Sequence, residues 1–375
     1  MMCIFQICMS KIKVSFFFPN FAFGGAERTT VQIANGLAAR GYRTDLVVLK
    51  AEGPYLQEVS PDVHVFAFNI SRARYSIWPL VRYLRQHRPD IVFSTLMNAP
   101  LILANYLAGS PCRVVLSERS LFSSIKKTAR SFSQRLTFWA SGYLNKKADA
   151  IVSVSQASAD DLRRSALARE GQIRVIYNPV VTPELECLMS AEPNHEWVKE
   201  KKVPVVLAVG RLAPEKNYDV LCRAFAQISE DARLIILGEG PERKKLETLT
   251  QSLGIAERVS MPGFVGNPFS CMARADVFVL CSRFEGLPGA LIQAMACGLT
   301  PVVTDSPGGL AEVLGDSLRD YLVSSHDPEA LSNAIGRALQ HPLPPERLRE
   351  RAMVFSERAS IDAYVNLIDE ILNKA

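Results

Sequence analysis

Short apolar runs alternate with stretches of helical spacing along the whole chain. In the first half these runs are Ile12–Phe18, Tyr42–Leu49, Val63–Phe68, Ile91–Ser94, Val114–Ser117, Ala150–Val154 and Ile173–Tyr177. In the second half they are Val205–Val209, Leu234–Leu237, Val259–Met261, Val277–Leu280 and Pro301–Thr304. Apolar runs of this length, separated by helices, are typical of parallel strands that are buried on both faces. The pattern therefore predicts an α/β protein with two Rossmann-like, doubly wound domains.

The chain of 375 residues is long enough for two such domains, each with its own core. Residues 181–200 are polar, contain prolines and show no strand pattern. We therefore predict a first domain over residues 1–180, a linker over 181–200 and a second domain over 201–350. Residues 351–375 carry a final amphipathic helix. No apolar run reaches the roughly 18 residues that a membrane-spanning helix requires.

One stretch of the second half, residues 276–312, combines a strand, a loop, a helix, a second strand and a Pro-Gly-Gly turn. In an open parallel sheet the ligand binds beyond the carboxyl ends of the strands, where Glu285 and Gly286 would lie. The free backbone N–H groups of the helix that follows Pro288 attract anions such as phosphate. Two glycine-rich helix openings in one stretch favour a nucleoside diphosphate as the ligand.

A second loop, residues 210–217, follows a strand and precedes a helix, so its charged residues are expected at the same edge of the sheet. Arg211 offers a planar guanidinium fork and Lys216 a compact charge, and both suit a diphosphate. The alternative is a surface ion pair between Lys216 and Glu215. Gly238 and the pair Gly263-Phe264 follow the next two strands, where the alternative is an ordinary turn.

The first half carries polar groups at the ends of its own strands. Gly24 and Gly25 follow the first strand, while Asn98 and the pair Glu118-Arg119 follow later strands. The glycine loop does not match the dinucleotide pattern G-x-G-x-x-G, so a nicotinamide cofactor is not expected. The alternative for Gly24 and Gly25 is a tight turn that requires glycine.

The motifs at 210–217 and 276–312 resemble those of the family 4 glycosyltransferases, which have the GT-B fold. The resemblance is strong over residues 205–312 and moderate over the first domain. It implies two Rossmann-like domains that face each other across a cleft, with the helix of residues 351–375 packed back on the first domain. It implies a retaining transferase in which Arg211 and Lys216 hold the donor diphosphate and Glu285 orients the donor sugar.

The same resemblance assigns the remaining candidate residues. Those implied in donor binding are Gly238, Gly263, Phe264, Gly286, Leu287, Gly289, Ala290 and Gln293, and those implied in the loops for acceptor and phosphate are Gly24, Gly25, Asn98, Glu118 and Arg119. The family places a second Glu where this chain has Gln293, and an amide accepts hydrogen bonds through one oxygen only. The implied donor is a UDP-linked hexose or N-acetylhexosamine. The implied acceptor is a glycan or a polyprenyl-diphosphate-linked glycan of bacterial cell-surface polysaccharide synthesis.

The charge is divided unevenly between the two halves. Residues 1–195 hold 23 Lys+Arg and 14 Asp+Glu, a net charge of +9, whereas the remainder holds 20 and 24, a net charge of −4. Within the first half, residues 122–147 combine an apolar helical face with lysines and arginines, which suits an anionic membrane surface. The alternative is a core-facing helix with solvated lysines. We therefore expect a cytoplasmic protein that binds peripherally at the inner face of the plasma membrane.

Other partners are disfavoured by the sequence. Its basic residues are scattered and show no nucleic-acid-binding signature. Its eight cysteines form no C-x-x-C pair, which fits a reducing compartment without structural zinc. No D-x-D acid pair lies on a suitable loop, so no metal cofactor is expected. The N-terminal residues lack the features of a signal peptide, and Met9 is an alternative start.

Two alternatives to a transferase remain open from the sequence. Because Gln293 replaces a carboxylate, the chain could bind a nucleotide sugar as a partner subunit with weakened turnover. A sugar-nucleotide epimerase of the same fold would instead release a free epimer without any acceptor.

Overall fold

The computed structural model of this protein describes residues 12–22, 24–119, 123, 142–228, 231–323 and 327–373. The chain forms two compact units. The first contains Met1–Val154, Ala159–Pro179 and Ser360–Ala375, and the second contains Ser155–Ser158 and Val180–Ala359. Residues 155–158, residue 180, the predicted linker of residues 181–200 and residues 351–359 all belong to the second unit.

The first unit is built on a sheet of seven parallel strands. They are β1 (Lys13–Phe18), β2 (Arg43–Val48), β3 (Val63–Ala67), β4 (Ile91–Thr95), β5 (Arg113–Glu118), β6 (Ala150–Ser153) and β7 (Ile173–Val175). Their spatial order is β3-β2-β1-β4-β5-β6-β7. The chain therefore winds in one direction from β1 to β3 and in the other from β4 onward, so the direction switches between β1 and β4.

The second unit contains a six-stranded parallel sheet. Its strands are β8 (Val205–Val209), β9 (Arg233–Leu237), β10 (Val259–Gly263), β11 (Val277–Leu280), β12 (Thr300–Thr304) and β13 (Leu322–Val323). The order is β10-β9-β8-β11-β12-β13, which again reverses the winding direction, here between β8 and β11. The predicted architecture of two doubly wound parallel sheets is thereby confirmed.

Helices connect these strands, because parallel neighbours require crossover connections. In the described residues they are α1 (Gly25–Ala39), α2 (Ile77–His87), α3 (Asn98–Ala108), α4 (Gln156–Arg164), α5 (Leu185–Ser190), α6 (Glu196–Lys199), α7 (Tyr218–Phe225), α8 (Arg243–Ser252), α9 (Phe269–Met272), α10 (Gly289–Ala296), α11 (Leu310–Leu314), α12 (Pro328–Gln340), α13 (Pro345–Ala352) and α14 (Glu357–Asn373). Within these described residues, no helix is long and apolar enough to span a membrane.

Helix α14 contributes to the core of the first unit from Ser360 onward. Tyr364 and Ile368 are buried in the same apolar cluster as Phe16 and Phe93. The ring centroids of Phe93 and Tyr364 lie 5.6 Å apart in an edge-to-face arrangement. This burial of apolar area explains why the last helix of the chain is part of the first unit.

The strands lie within two residues of their predicted bounds, and one strand of the structure was not predicted. Strand β13 was not predicted, because its two residues are too short to produce a pattern. Helix α1 begins at Gly25, directly after the glycine loop, because the Gly24 carbonyl accepts a hydrogen bond from the Arg28 N–H. The predicted membrane-facing helix lies mostly outside the described residues, since only Ser123 and residues 142–147 of that segment are described.

Candidate functional site

The loops that follow β8 and β11 flank the point at which the second sheet reverses its winding direction. The first loop carries Lys216 and the second carries Glu285. Lys216 Nζ lies 2.6 Å from Glu285 Oε1, and the side chains are 21% and 14% exposed. The topology thus brings together two opposite charges that are 69 residues apart in sequence. The alternative pairing of Lys216 with Glu215 is not formed.

Glu285 is held by its own loop and by the turn after β12. The Ser282 hydroxyl donates a hydrogen bond of 2.6 Å to Glu285 Oε1. The Glu285 N–H donates to the Pro307 carbonyl at 3.1 Å, and the Gly309 N–H donates to the Glu285 carbonyl at 3.3 Å. Both backbone polar groups of Glu285 are therefore hydrogen-bonded, which fixes the position from which its carboxylate extends.

The pairing between Glu285 and Gly308 requires a glycine. Gly308 has a φ of +131°, a conformation that L side chains rarely adopt. A Cβ added there would lie 1.6 Å from the Glu285 carbonyl oxygen. The Pro-Gly-Gly turn is consequently part of the support of Glu285.

The Lys216 loop is fastened to the Glu285 loop by further contacts. Arg283 donates through its N–H to the Glu215 carbonyl at 2.8 Å and through Nε to Asn217 Oδ1 at 3.1 Å. Cys281 Sγ lies 3.2 Å from the Lys216 carbonyl, in position to donate a hydrogen bond. Asn217 itself is buried and has a φ of +57°, which Asn tolerates better than most residues. These contacts set the position of the Lys216 side chain.

The glycine loops after β8, β9 and β10 lie against one another. The Gly210 N–H donates to the Leu237 carbonyl, and the Gly238 N–H donates to the Gly263 carbonyl, both at 2.9 Å. A Cβ on Gly238 would lie 2.0 Å from the Gly210 carbonyl oxygen, and the φ of +153° disfavours a side chain as well. The close approach of the two loops therefore explains why residue 238 is a glycine.

Two candidate side chains on these loops are exposed. The Phe264 ring, which follows Gly263, is 63% exposed. Arg211 is exposed on the loop of Lys216 and forms no ion pair with Glu285 or any other described residue. The structure therefore places Arg211 on the predicted loop without joining it to the Lys216–Glu285 pair.

One side of helix α10 is partly exposed to solvent. Leu291, Ile292, Ala294 and Met295 are buried, whereas Gly289, Ala290 and Gln293 are partly exposed, as are Gly286 and Leu287 in the preceding loop. Positions 289, 290 and 293 share one side of a helix with 3.6 residues per turn. Gln293 thus lies on the same open face as the first turn, whose N–H groups favour anions.

The first unit places its own candidate residues beside the switch between β1 and β4. Gly24 and Gly25 begin α1 in the connection after β1, and Asn98 begins α3 in the connection after β4. The Thr30 hydroxyl of α1 donates to Thr95 Oγ1 at the end of β4, at 3.2 Å. A Cβ on Gly25 would meet no atom within 4 Å, so space does not require this glycine.

Glu118 ends β5 with a perturbed carboxyl group. Asn98 Nδ2 donates to Glu118 Oε1 at 2.6 Å, and Asn145 also hydrogen-bonds to the carboxyl. Burial raises the pKa of Glu118 from 4.5 to about 7, against the lowering effect of the two amides. This carboxyl can therefore change its protonation state near neutral pH.

Arg119 lies next to Glu118 and is largely desolvated. Its Nη1 donates to Asn178 Oδ1 at 3.0 Å. Burial lowers the pKa of its guanidinium, and the nearby Tyr364 hydroxyl and Glu27 carboxylate oppose this effect. Its Nε is buried without a hydrogen-bond partner in the described part of the chain. Asn98 Oδ1 is likewise buried and unpaired there, so the candidate acceptor residues retain unused hydrogen-bonding capacity.

Three supporting residues were not predicted from the sequence. Ser282 adjoins a predicted site residue in the same loop, so its position could have suggested a role. Asn145 and Asn178 reach Glu118 and Arg119 from distant parts of the chain, and no local pattern indicates them.

In the residues that the structure describes, no group of three His, Cys, Asp or Glu side chains could hold a metal ion.

Two family models match the chain. The model described as "Glycosyltransferase Family 4" matches residues 23–183. The model described as "Glycosyl transferases group 1" matches residues 191–373. Together the two models extend over both units, from the glycine loop after β1 to the end of α14.

Relatives with a named activity align over most of the chain. An N-acetylgalactosamine-N,N'-diacetylbacillosaminyl-diphospho-undecaprenol 4-alpha-N-acetylgalactosaminyltransferase from Campylobacter jejuni is 26% identical over 356 residues, covering 90% of this chain and 92% of that protein. The lipopolysaccharide core biosynthesis glycosyltransferase LpsE from Rhizobium meliloti is 27% identical over 355 residues, covering 92% and 96%. The relatives thus include glycosyltransferases of lipid-linked glycan and lipopolysaccharide synthesis.

Solved structures share the fold at low identity. HepE from Anabaena, crystallised with UDP and glucose, superposes with a TM-score of 0.79 at 21% identity, covering 96% of this chain and all of that one. WaaG, a glycosyltransferase of lipopolysaccharide biosynthesis, superposes with a TM-score of 0.71 at 18% identity, covering 96% and 99%. These neighbours establish the GT-B fold.

Replacing Gly308 by alanine should displace Glu285. The new Cβ would occupy the position of the Glu285 carbonyl, so we expect a loss of about 1 to 3 kcal/mol in the free energy of unfolding. Urea denaturation measures this loss. Gly336→Ala is the matched control, because Gly336 lies within α12 and its added Cβ meets no atom within 4 Å. The control should gain roughly 0.5 to 1 kcal/mol, and a Gly308→Ala protein as stable as wild type would contradict the assignment.

Replacing Glu118 by glutamine should change the pH dependence of stability. Because the pKa of Glu118 is raised from 4.5 to about 7, the folded state binds more protons than the unfolded state between these values. Wild-type stability should therefore fall relative to Glu118→Gln as pH rises through this window, by up to about 3 kcal/mol. Urea midpoints on both sides of the window test this, with the exposed Glu52→Gln as control. Parallel curves for wild type and Glu118→Gln would refute the raised pKa.

Proposed function

Because this chain belongs to the family 4 glycosyltransferases of GT-B fold, we propose that it transfers a sugar from a nucleoside diphosphate to a glycan or a polyprenyl-diphosphate-linked acceptor, with retention at the anomeric carbon. The observation that carries the proposal is the Lys216–Glu285 pair at the switch point of the second sheet. A cation and a carboxylate held together suit a ligand that bears both a diphosphate and sugar hydroxyls.

The diphosphate binds to Lys216, to Arg211 and to the first turn of α10. Lys216 is positioned by its contact with Glu285, while the exposed guanidinium of Arg211 is available to phosphate oxygens. The N–H groups near Gly289 and Ala290 add the positive end of the helix. These groups stabilise the negative charge that develops as the nucleoside diphosphate departs.

The sugar and the nucleoside bind on either side of the diphosphate. Glu285 accepts hydrogen bonds from the donor sugar, and Gln293 contacts the ribose from the open face of α10. Gly263 and the exposed Phe264 lie against the base, with Gly238 allowing close approach. The complex of the Anabaena HepE protein with UDP and glucose supports UDP as the nucleotide. The Campylobacter jejuni relative, named for an N-acetylgalactosaminyl transfer, supports a hexose or an N-acetylhexosamine.

The acceptor binds to the first unit at Gly24, Gly25, Asn98, Glu118 and Arg119. Its hydroxyl oxygen forms the new bond to the anomeric carbon as the bond from that carbon to the phosphate oxygen breaks. The acceptor proton passes to the departing phosphate oxygen, so attack and departure occur on the same face of the sugar. The rate gain arises from positioning and charge stabilisation rather than from a strong protein base. The proposal places this reaction at the cytoplasmic face of the plasma membrane, where a lipid-linked acceptor would be presented.

Removing the charge of Lys216 should weaken catalysis strongly. For Lys216→Met we expect kcat/KM to fall roughly 10²- to 10³-fold, because one preorganised charge at the leaving group is lost. The measurement is UDP release from a panel of UDP-sugars with bacterial lipid extract as acceptor.

Lys201→Met is the matched control. Lys201 forms an ion pair of 2.9 Å with Asp276. Asp276 lies just before β11, at the amino ends of the strands and away from the candidate site. The control should retain wild-type kcat/KM. Equal losses in both variants would show that any ion pair of the second unit matters, and an active Lys216→Met enzyme would refute the proposed role.

Gln293→Glu separates the transferase from the two alternatives. If the chain is a transferase whose Gln293 amide binds the ribose, the wild-type protein should catalyse transfer. Gln293→Glu should then change KM for the donor more than it changes kcat. A partner subunit should bind UDP in a thermal-shift assay yet turn over only after Gln293→Glu. An epimerase should release a free epimer from UDP-sugar without acceptor. Either of these last two results would replace the transfer reaction proposed for the wild-type chain.

A further inference from the structure

Helices α2 and α3 of the first unit expose large apolar side chains to solvent. Trp78 on α2 is 72% exposed and Tyr106 on α3 is 76% exposed. Leu103 and Leu107 of α3 are also exposed, although Leu101 and Ile102 of the same helix are buried. Helix α3 contains no charged residue, and its two asparagines, Asn98 and Asn105, hydrogen-bond to Glu118 and to the Cys112 carbonyl. Its exposed residues are therefore mainly apolar, which is typical of a surface that is covered by a partner.

These exposed groups belong to one surface. Helices α2 and α3 pack against each other, and the turn of residues 73–76 contacts α3. Arg85 on α2 donates through Nη2 to the Leu107 carbonyl of α3 at 2.8 Å. Arg74 stacks over the Tyr75 ring, with the guanidinium carbon 4.8 Å from the ring centroid. We call the surface formed by residues 72–86 and 103–107 the α2–α3 face.

A groove extends this face to the edge of the sheet. It lies between α2 and the edge strand β3 and has a volume of about 480 Å³. Phe66, Phe68 and Trp78 supply apolar lining, while Arg82 brings a positive charge to the same groove. Aromatic and arginine side chains thus stand side by side along the groove.

The charge of the face has one sign. Between Asp62 and Glu118 the chain carries six arginines and a single acid, Asp90. Asp90 is engaged at the amino end of the sheet, where its Oδ2 accepts the Lys13 N–H at 2.7 Å. Arg72, Arg74 and Arg82 are exposed and lie on the face without an acidic neighbour in ion-pair contact among the described residues.

We propose that the α2–α3 face docks on an anionic phospholipid bilayer. Trp and Tyr rings prefer the boundary between headgroups and acyl chains, because they combine an apolar body with a polar edge. Arginine guanidinium groups bind lipid phosphates bidentately. A symmetric contact with a second copy would instead place the arginines of one copy against those of the other. The composition of the face therefore favours a lipid surface over self-association.

The α2–α3 face lies outside the basic segment 122–147 that the sequence suggested for membrane contact. Its docking on lipid does not depend on the identity of the donor or of the acceptor. It adds a specific surface to the proposed location at the plasma membrane, and it can hold even if the transfer reaction is assigned wrongly.

Vesicle co-sedimentation of the full chain tests the proposal. Wild type should bind vesicles of phosphatidylcholine mixed with phosphatidylglycerol, bind vesicles of phosphatidylcholine alone weakly, and dissociate as salt is raised. Arg74→Gln/Arg82→Gln should weaken the binding roughly 25-fold, since each arginine near an anionic surface contributes about 5-fold. Trp78→Ser/Tyr106→Ser should also weaken it, with a smaller dependence on salt.

Matched controls lie in the second unit. Lys244→Gln/Lys245→Gln removes the same charge from the exposed side of α8, and Met353→Ser removes an exposed apolar side chain. Both should bind vesicles as wild type does. Thermal unfolding and UDP-induced thermal shifts should be unchanged in all the variants, which separates loss of docking from loss of folding or donor binding.

Three results would overturn the proposal. The first is vesicle binding that the α2–α3 variants leave unchanged, which would place the contact elsewhere. The second is equal binding to neutral and anionic vesicles. The third is a dimer of wild type, detected by light scattering, that the Trp78→Ser/Tyr106→Ser variant dissociates. Fluorescence provides a further check: brominated lipids should quench wild-type tryptophan emission, and Trp78→Phe should remove most of that quenching.

Discussion

The backbone contact between Gly308 and Glu285 is the constraint on which the candidate donor site depends. It joins the loop after β11 to the turn after β12, and no side chain fits between them. On that support Ser282 and Lys216 reach the same carboxylate oxygen, each at 2.6 Å. Partial burial of two opposite charges gives net stabilisation only when their attraction and further hydrogen bonds together exceed the cost of desolvation. The candidate donor site therefore depends on the loops after β8, β11 and β12, which hold one another in position.

Both units use the same geometric device for different chemistry. Each sheet reverses its winding direction once, and in each the two loops beside the reversal carry candidate residues, which are Lys216 and Glu285 in the second unit and Gly24, Gly25 and Asn98 in the first. The second unit presents a fixed ion pair there, which suits a charged diphosphate. The first unit presents the Glu118 carboxyl between two amides at the end of the neighbouring strand β5, and its pKa, raised to about 7, suits neutral hydroxyl groups. This difference in charge supports the proposed division between donor and acceptor.

The uneven division of charge has a structural counterpart. The net positive charge of the first half is carried partly by the arginines beside the exposed aromatic residues of α2 and α3. Such a surface is unfavourable in water unless something covers it, because the apolar area remains hydrated. The second unit carries net negative charge, and its cationic candidates are confined to the loop of Arg211 and Lys216. A membrane-facing role and a nucleotide-binding role thus draw on different parts of the chain.

The sequence by itself determined the strands, the two doubly wound sheets and the loops that carry the candidate residues, because these follow from local apolar periodicity and glycine placement. Only the tertiary structure decided which residues meet. Lys216 pairs with Glu285 rather than with its neighbour Glu215, and Asn98 and Asn145 converge on Glu118. These contacts join loops that are distant along the chain, so they depend on strand order and side-chain burial. Neither strand order nor side-chain burial is encoded in a local pattern, which is why the raised pKa of Glu118 and the contacts of Asn145 and Asn178 emerged only from the folded chain.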